Sequence, residues 1–134
     1  MRMSKVKALA NKVRTGFFAT TDGIRPAVRP ISAFIWVGGE LWFATGVKSA
    51  KVADLRRRPR GEFCFMTKDY LHVRIAGRCR LSVRPEDKRK VFGAFPWMKN
   101  YFGSAEADDW LVVKLKPALV RYMDESLGYH RVKA

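Results

Sequence analysis

The chain has little of what most catalytic and metal centres are made from. Its 134 residues hold two cysteines and two histidines. Cys64 and Cys79 show neither CxxC nor metal-ligand spacing, and both sit in apolar, strand-like runs. They read as buried free thiols of a reducing compartment. His72 and His130 give no basis for a metal cluster or a Ser-His-Asp arrangement. No stretch approaches the ~20 apolar residues of a membrane span, and the N-terminus lacks the apolar core of a signal peptide. The expectation is a cytoplasmic protein with no membrane partner. Repeats, low-complexity tracts and linkers are also missing, so residues 1–134 read as one domain. Acidic residues are scarce, with 12 Asp and Glu against 27 Lys and Arg, for a net charge of +15.

What is present is aromatic and basic. Four Trp, four Tyr and nine Phe are many for this length, which favours a ring-binding pocket or a buried subunit interface. Basic residues concentrate at 48–60 (Lys48, Lys51, Arg56, Arg57, Arg58, Arg60) and at 74–90 (Arg74, Arg78, Arg80, Arg84, Lys88, Arg89, Lys90). Glu106, Asp108 and Asp109 interrupt the pattern. No zinc-finger spacing, helix-turn-helix or RNP-type signature accompanies this charge, so nucleic acid is not the expected partner. An anionic ligand plus a solubilising surface accounts for the charge as well.

Local patterns place the elements. Val6, Leu9, Ala10 and Val13 predict an amphipathic helix over 4–14, with Ser4 as N-cap and Gly16 as stop signal. A strand at 17–21 meets the Asp22-Gly23 turn. A long strand then runs from about Arg25 to Val37, with Pro26 and Pro30 marking an edge, a bulge or a break for a ligand. Gly38-Gly39 turns the chain into a strand over 40–45. A helix covers 49–58, with Asp54 and Arg58 able to pair at i, i+4, and Pro59 ends it. A strand at 61–67 follows. The alternation from Leu71 to Val83 predicts a half-buried strand. Pro85-Glu86-Asp87 opens a helix to about Ala94, Phe95-Pro96-Trp97 breaks it, and a last strand spans about 110–123. The fold class is mainly β: a small β-barrel of six or seven mostly antiparallel strands with a few helices.

Two segments carry the chemistry. In the first, Arg29-Pro30-Ile31-Ser32, the arginine can fork onto a phosphate, and Pro30 frees the local backbone to face a ligand. The second runs ELWFATGVKSAKVADLRRRPR over 40–60. Here an aromatic strand (Trp42, Phe43, Ala44) leads through Thr45 into a helix that opens at Ser49 and Lys51. The first N–H groups of a helix have no intrahelical partner, and its dipole adds positive charge there. Thr45 and Ser49 read equally as ordinary caps. Lys48, Lys51 and Arg56–Arg58, taken alone, read as a solvated face.

The order of helix, Asp-Gly hairpin, RPIS strand, ELWFAT strand and KSAKVADLRRRP resembles the FMN-binding split-barrel proteins related to pyridoxamine 5′-phosphate oxidase, especially the short general-stress-protein-like members. The resemblance covers about residues 5–124. It implies a flavin-dependent oxidoreductase, a homodimer with FMN at the subunit interface. Arg29, Ser49 and Lys51 would then engage the phosphate, main chain around Pro30, Ile31 and Ser32 would meet the polar edge of the ring, and Phe43, Ala44 and Thr45 would line the same pocket. Trp97 and Tyr101 read as interface packing or as contacts to the partner's flavin, and His72 as surface or as a proton donor. The substrate-binding C-terminal segment of the full oxidase has no convincing counterpart, which leaves substrate and catalytic residues open. Related split barrels bind the deazaflavin F420 or haem, or carry a cofactor without catalysis.

Overall fold

Seven antiparallel strands form one curled sheet in a computed structural model that describes residues 1–132. The strands are β1 (Gly16–Thr21), β2 (Pro26–Ile31), β3 (Phe34–Val37), β4 (Glu40–Gly46), β5 (Arg60–Met66), β6 (His72–Ser82) and β7 (Trp110–Met123). Their order is β2-β1-β5-β6-β7-β4-β3. A short β8 (Tyr129–Arg131), not predicted from the sequence, pairs with the far end of β7. The helices are α1 (Met3–Val13), α2 (Ala50–Arg57), α3 (Pro85–Ala94) and α4 (Lys99–Phe102), with a 3-10 turn at Pro96–Met98. No helix among the described residues is long and apolar enough to cross a membrane. Lys133 and Ala134 lie outside the described residues.

The order holds the key to the shape. β2 and β3 follow each other in the chain yet lie at opposite edges of the sheet. Only Ser32 and Ala33 separate them. Ile31 and Phe34 are three Cα steps apart, so the two edges approach within roughly 11 Å. A sheet whose edges meet must curl, and here both are stitched at the seam. The Ser32 hydroxyl lies 2.8 Å from that of Thr15, just before β1. The Ala33 carbonyl accepts from the Ala44 N–H of β4 at 3.3 Å. The long strand expected over 25–37 is therefore two strands, broken two residues after Pro30.

Alternation fills the barrel. Phe18, Phe43, Phe63 and Phe65 all point inward, fully buried, and pack edge-on or stacked, with centroids about 5 Å apart. α1 adds Val6, Leu9 and Ala10, and α2 adds Val52 and Leu55. A second cluster lies outside the barrel, where Val91 from α3, Phe95 just after it and Met98 cover Trp42, Trp110 and Val112. From Trp110 to Leu115 every residue of β7 is buried, because core lies on one face and α3 on the other. Lys114 falls in this stretch. Its ammonium meets Asp87 at 2.6 Å and lies 4.1 Å from the centre of the Trp42 ring.

Several local expectations are corrected. α1 starts at Met3 with Arg2 as N-cap, and no side chain caps it, so Ser4 is not the cap. The stop is Arg14, in the left-handed region at φ 70°, while Gly16 already opens β1. Asp54 does not pair with Arg58. Its carboxylate instead accepts from the Thr20 hydroxyl at 2.7 Å, because the inward face of β1 lies beneath α2. Ser82, expected on the polar face, is buried and donates to Asp87 at 2.6 Å. A bulge between Ala76 and Gly77 shifts the β6–β7 register, but the buried phase of β6 runs unbroken through Cys79. Ser82 is covered because the chain turns at Arg84 into α3, whose Asp87 packs onto the outer face of the sheet there.

Candidate functional site

β1, β2, β4 and the start of α2 converge at one end of the barrel. Arg29 lies opposite Phe18 on β1 and so points to the inner side. Its Nη1 donates to the Thr20 hydroxyl at 2.8 Å and to the Phe18 carbonyl at 3.3 Å. Thr45, at the end of β4, is buried. It accepts from Lys51 Nζ at 2.7 Å, and its hydroxyl lies 3.2 Å from that of Ser49. Ser49 occupies the N-cap position of α2, but its side chain caps no backbone N–H. The opening N–H groups of the helix are thus left for another acceptor.

The electrostatics favour an anion. Burial lowers the Lys51 pKa, and the nearby Arg29 charge lowers it further. Burial also lowers the Arg29 pKa, while Asp54 pulls the other way. Two half-buried cations therefore repel each other, with one carboxylate, already bonded to Thr20, to offset them. A phosphate or carboxylate beside Thr45 and Ser49 would reverse the sign of that interaction.

Beside this cationic corner, a cleft of about 210 Å³ follows the barrel seam. Pro30, Ile31, Ser32 and Ala33 form one side, Ala44 the floor, and Trp97, Met98, Tyr101 and Phe102 the other side. The last four come from the segment between α3 and β7. Met98 is anchored in the outer cluster, while Trp97 and Tyr101 stay exposed, edge to face, with centroids 5.8 Å apart.

The expected residues thus separate into three groups. Arg29, Thr45, Ser49 and Lys51 form the charged corner. Pro30, Ile31, Ser32 and Ala44 line the adjoining cleft. Phe43 has no exposed surface and packs on Phe18 and Phe63, so its side chain supports the site from inside the barrel. The sequence reading missed Thr20 and Asp54, which hold Arg29 in place, and Met98 and Phe102 in the cleft wall. The inward phase of Phe18 and Thr20 was the available signal for Thr20. A larger cleft, about 1100 Å³, lies elsewhere, among Lys12, Lys68, Asp69 and Asp124. It is broad and mixed in charge, and size alone does not give it a chemistry.

Residues 3–124 match the family described as pyridoxamine 5′-phosphate oxidase. The chain belongs to that family. Its fold recurs in a NimC/NimA family protein from Clostridium acetobutylicum, at TM-score 0.84 and 20% identity over 97% of this chain and 93% of the other. General Stress Protein 26 from Bacillus anthracis str. Sterne aligns at TM-score 0.79 and 20% identity, over 96% and 97% of the two chains. A heme binding protein from Mycobacterium smegmatis aligns at 0.78 and 17% identity, over 96% of this chain and 56% of that one. At such identities these likenesses concern the fold alone. No curated protein matches the chain in sequence.

Proposed function

We propose that this protein binds FMN as a cytoplasmic homodimer and acts as a flavin-dependent oxidoreductase. The observation that carries the reading is the cationic corner: Lys51 and Arg29, half-buried and mutually repelling, set around Thr45, Ser49 and the uncapped start of α2. Lys51 and Arg29 hold the phosphate, with the Thr45 and Ser49 hydroxyls and the helix N–H groups as further donors. Main chain at Pro30, Ile31 and Ser32 meets the polar edge of the ring. Ala44, with no bulky side chain, leaves room for the ring in the cleft, and Trp97 and Tyr101 exclude water from it. When bound, FMN supplies the electron-transfer chemistry that the side chains lack.

The dimer is supported by two observations. The cleft in one chain, about 210 Å³, is smaller than the ~300–1,000 Å³ of ordinary ligand sites, as expected of half a site. Phe17 and Val28 are 53% and 68% exposed on adjoining strands, with Phe17 opposite Pro30 and Cys64. An apolar patch of this kind marks an interface.

A binding module without catalysis is the second reading, and the cleft lining favours it in one respect. Among the described residues that line it, only Ser32 and Tyr101 carry an O–H group, and none is a histidine or a carboxylate. Neither histidine lines the cleft, which weighs against haem. Purified protein should be yellow or should bind added FMN in a fluorescence titration. Arg29→Ala and Lys51→Ala should each weaken binding by roughly 10- to 100-fold, the loss of one charge-assisted contact. A colourless protein that ignores added FMN would sink the proposal. Turnover of the loaded protein with NAD(P)H separates oxidoreductase from carrier.

A further inference from the structure

A second site lies at the far side of the barrel, where the sheet is incomplete. β4 pairs with β7 only as far as Leu115. β8 resumes the pairing at Arg121, and Val132 donates to the Val120 carbonyl. Between them, among the described residues, the β7 edge from Lys116 to Leu119 has no strand beside it. Such an edge would ordinarily template another strand. Here Pro117 has no N–H to offer and the bulge opposite Gly77 breaks the register, so a strand cannot add. The gap instead opens into a cleft of about 520 Å³, within the range of small-molecule sites.

The lining of this cleft is of two kinds. Pro117, Val120 and Val132 give it an apolar part. Lys7, Lys116 and Arg131 bring three cations, none with an acidic partner among the described residues. The one carboxylate present, Glu40, is already held by Arg80 at 2.6 Å and by the Trp42 indole N–H at 3.1 Å. Lys116 also lies in register with Arg78, and Arg78 with Arg60, a row of like charges directly opposite one another that no neighbouring acid relieves. We propose that this cleft binds a small anionic amphiphile, its carboxylate or phosphate head taken by Lys7, Lys116 and Arg131 and its apolar body by Pro117, Val120 and Val132. The site is separate from the cationic corner and shares no residue with it.

Decanoate is a suitable probe, titrated calorimetrically into the full chain. Saturable binding is expected. Decanol, which lacks the head, and acetate, which lacks the body, should each bind at least about tenfold more weakly. Lys116→Glu and Arg131→Glu should weaken decanoate binding to the same degree, with circular dichroism confirming that both variants fold. Lys51→Ala should leave it unchanged, so the outcome is independent of FMN binding. The proposal is overturned if decanoate does not bind, if decanol binds as well, if Lys116→Glu has no effect, or if Lys51→Ala abolishes the signal. Octyl phosphate in place of decanoate then distinguishes a phosphate head from a carboxylate.

Discussion

Among the described residues, Asp87 and Lys114 form the most protected ion pair, with side chains 8% and 9% exposed. Burial raises the Asp87 pKa, but bonds from Lys114 and Ser82 outweigh it, and the net shift is downward from 3.8. The sign of the linkage follows. A carboxylate with a depressed folded pKa adds stability above its unfolded value and loses it as pH falls through the folded one. The pair therefore supports the fold fully above about pH 3.8, and its contribution declines below that as the pH falls through the lowered folded value. Asp87→Asn strands a buried ammonium and should cost about 3–5 kcal/mol in urea unfolding, with no further loss from this group on acidification. Replacing both residues, Asp87→Leu with Lys114→Met, should recover most of that. A cost under ~1 kcal/mol for Asp87→Asn would mean that Lys114 reaches water. Nothing in the sequence paired these two. Asp87 read as a helix-dipole acid, and Lys114 fell inside the last predicted strand with no role assigned to it. Arg29, Ser49 and Lys51 were legible only with the family order beside them: taken alone, Lys51 read as a solvated helix face and Ser49 as an ordinary cap, because a helix start with basic residues has common structural reasons to exist.

The bulge in β6 and β7 is the element most dependent on one residue. A Cβ on Gly77 would lie 2.0 Å from the Lys116 carbonyl oxygen and 3.2 Å from the Pro117 Cα. Both are backbone atoms and cannot swing aside. Gly77→Ala should cost about 1–3 kcal/mol, read as a lower denaturant midpoint with unchanged slope. A change within ~0.5 kcal/mol would show that the strands can part there. Regular elements were legible because each has a period: β6 from its alternation, α3 from its proline and acids, β7 from its apolar run. The failures have a common cause. The break after Ile31, the bulge at Gly77 and the addition of β8 are set by what lies across the sheet, and a single strand's pattern does not contain its neighbour. Phe43 is a milder case. Its neighbour Trp42 is also covered, by Lys114 and α3, so polarity could not tell the barrel side from the helix side.

At the scale of the molecule, the positive charge is divided. Glu62 is shared by Arg74 and Arg121 at 2.7 and 3.1 Å, and Glu40 and Asp87 are paired as described. With Glu86 beside Arg84, four of the twelve acids hold a Lys or Arg, which leaves whole strips of cation without such a partner among the described residues. The apolar strip is elsewhere, on the outer face of β1 and β2. If that strip joins two copies, Phe17→Glu should yield a monomer of 15.4 kDa by light scattering and lose FMN, with the barrel still folded by circular dichroism. Dimers that persist with FMN retained would put the interface on another face. The class of the fold could be read from turns and alternation. The closure of the barrel could not, since it depends on which strands become edges, and that is decided by pairings between distant parts of the chain.

Ser32 and Ala33 belong both to the stitch that closes the barrel and to the wall of the cleft beside it. Closing the barrel and forming that wall are consequently one equilibrium. Whatever settles against those two residues acts as a clasp, and by mass action its occupancy adds to the free energy needed to spring the barrel open. That joint lies a quarter of the way along the chain, between β2 and β3, as a latch that a molecule held in the cleft would fasten.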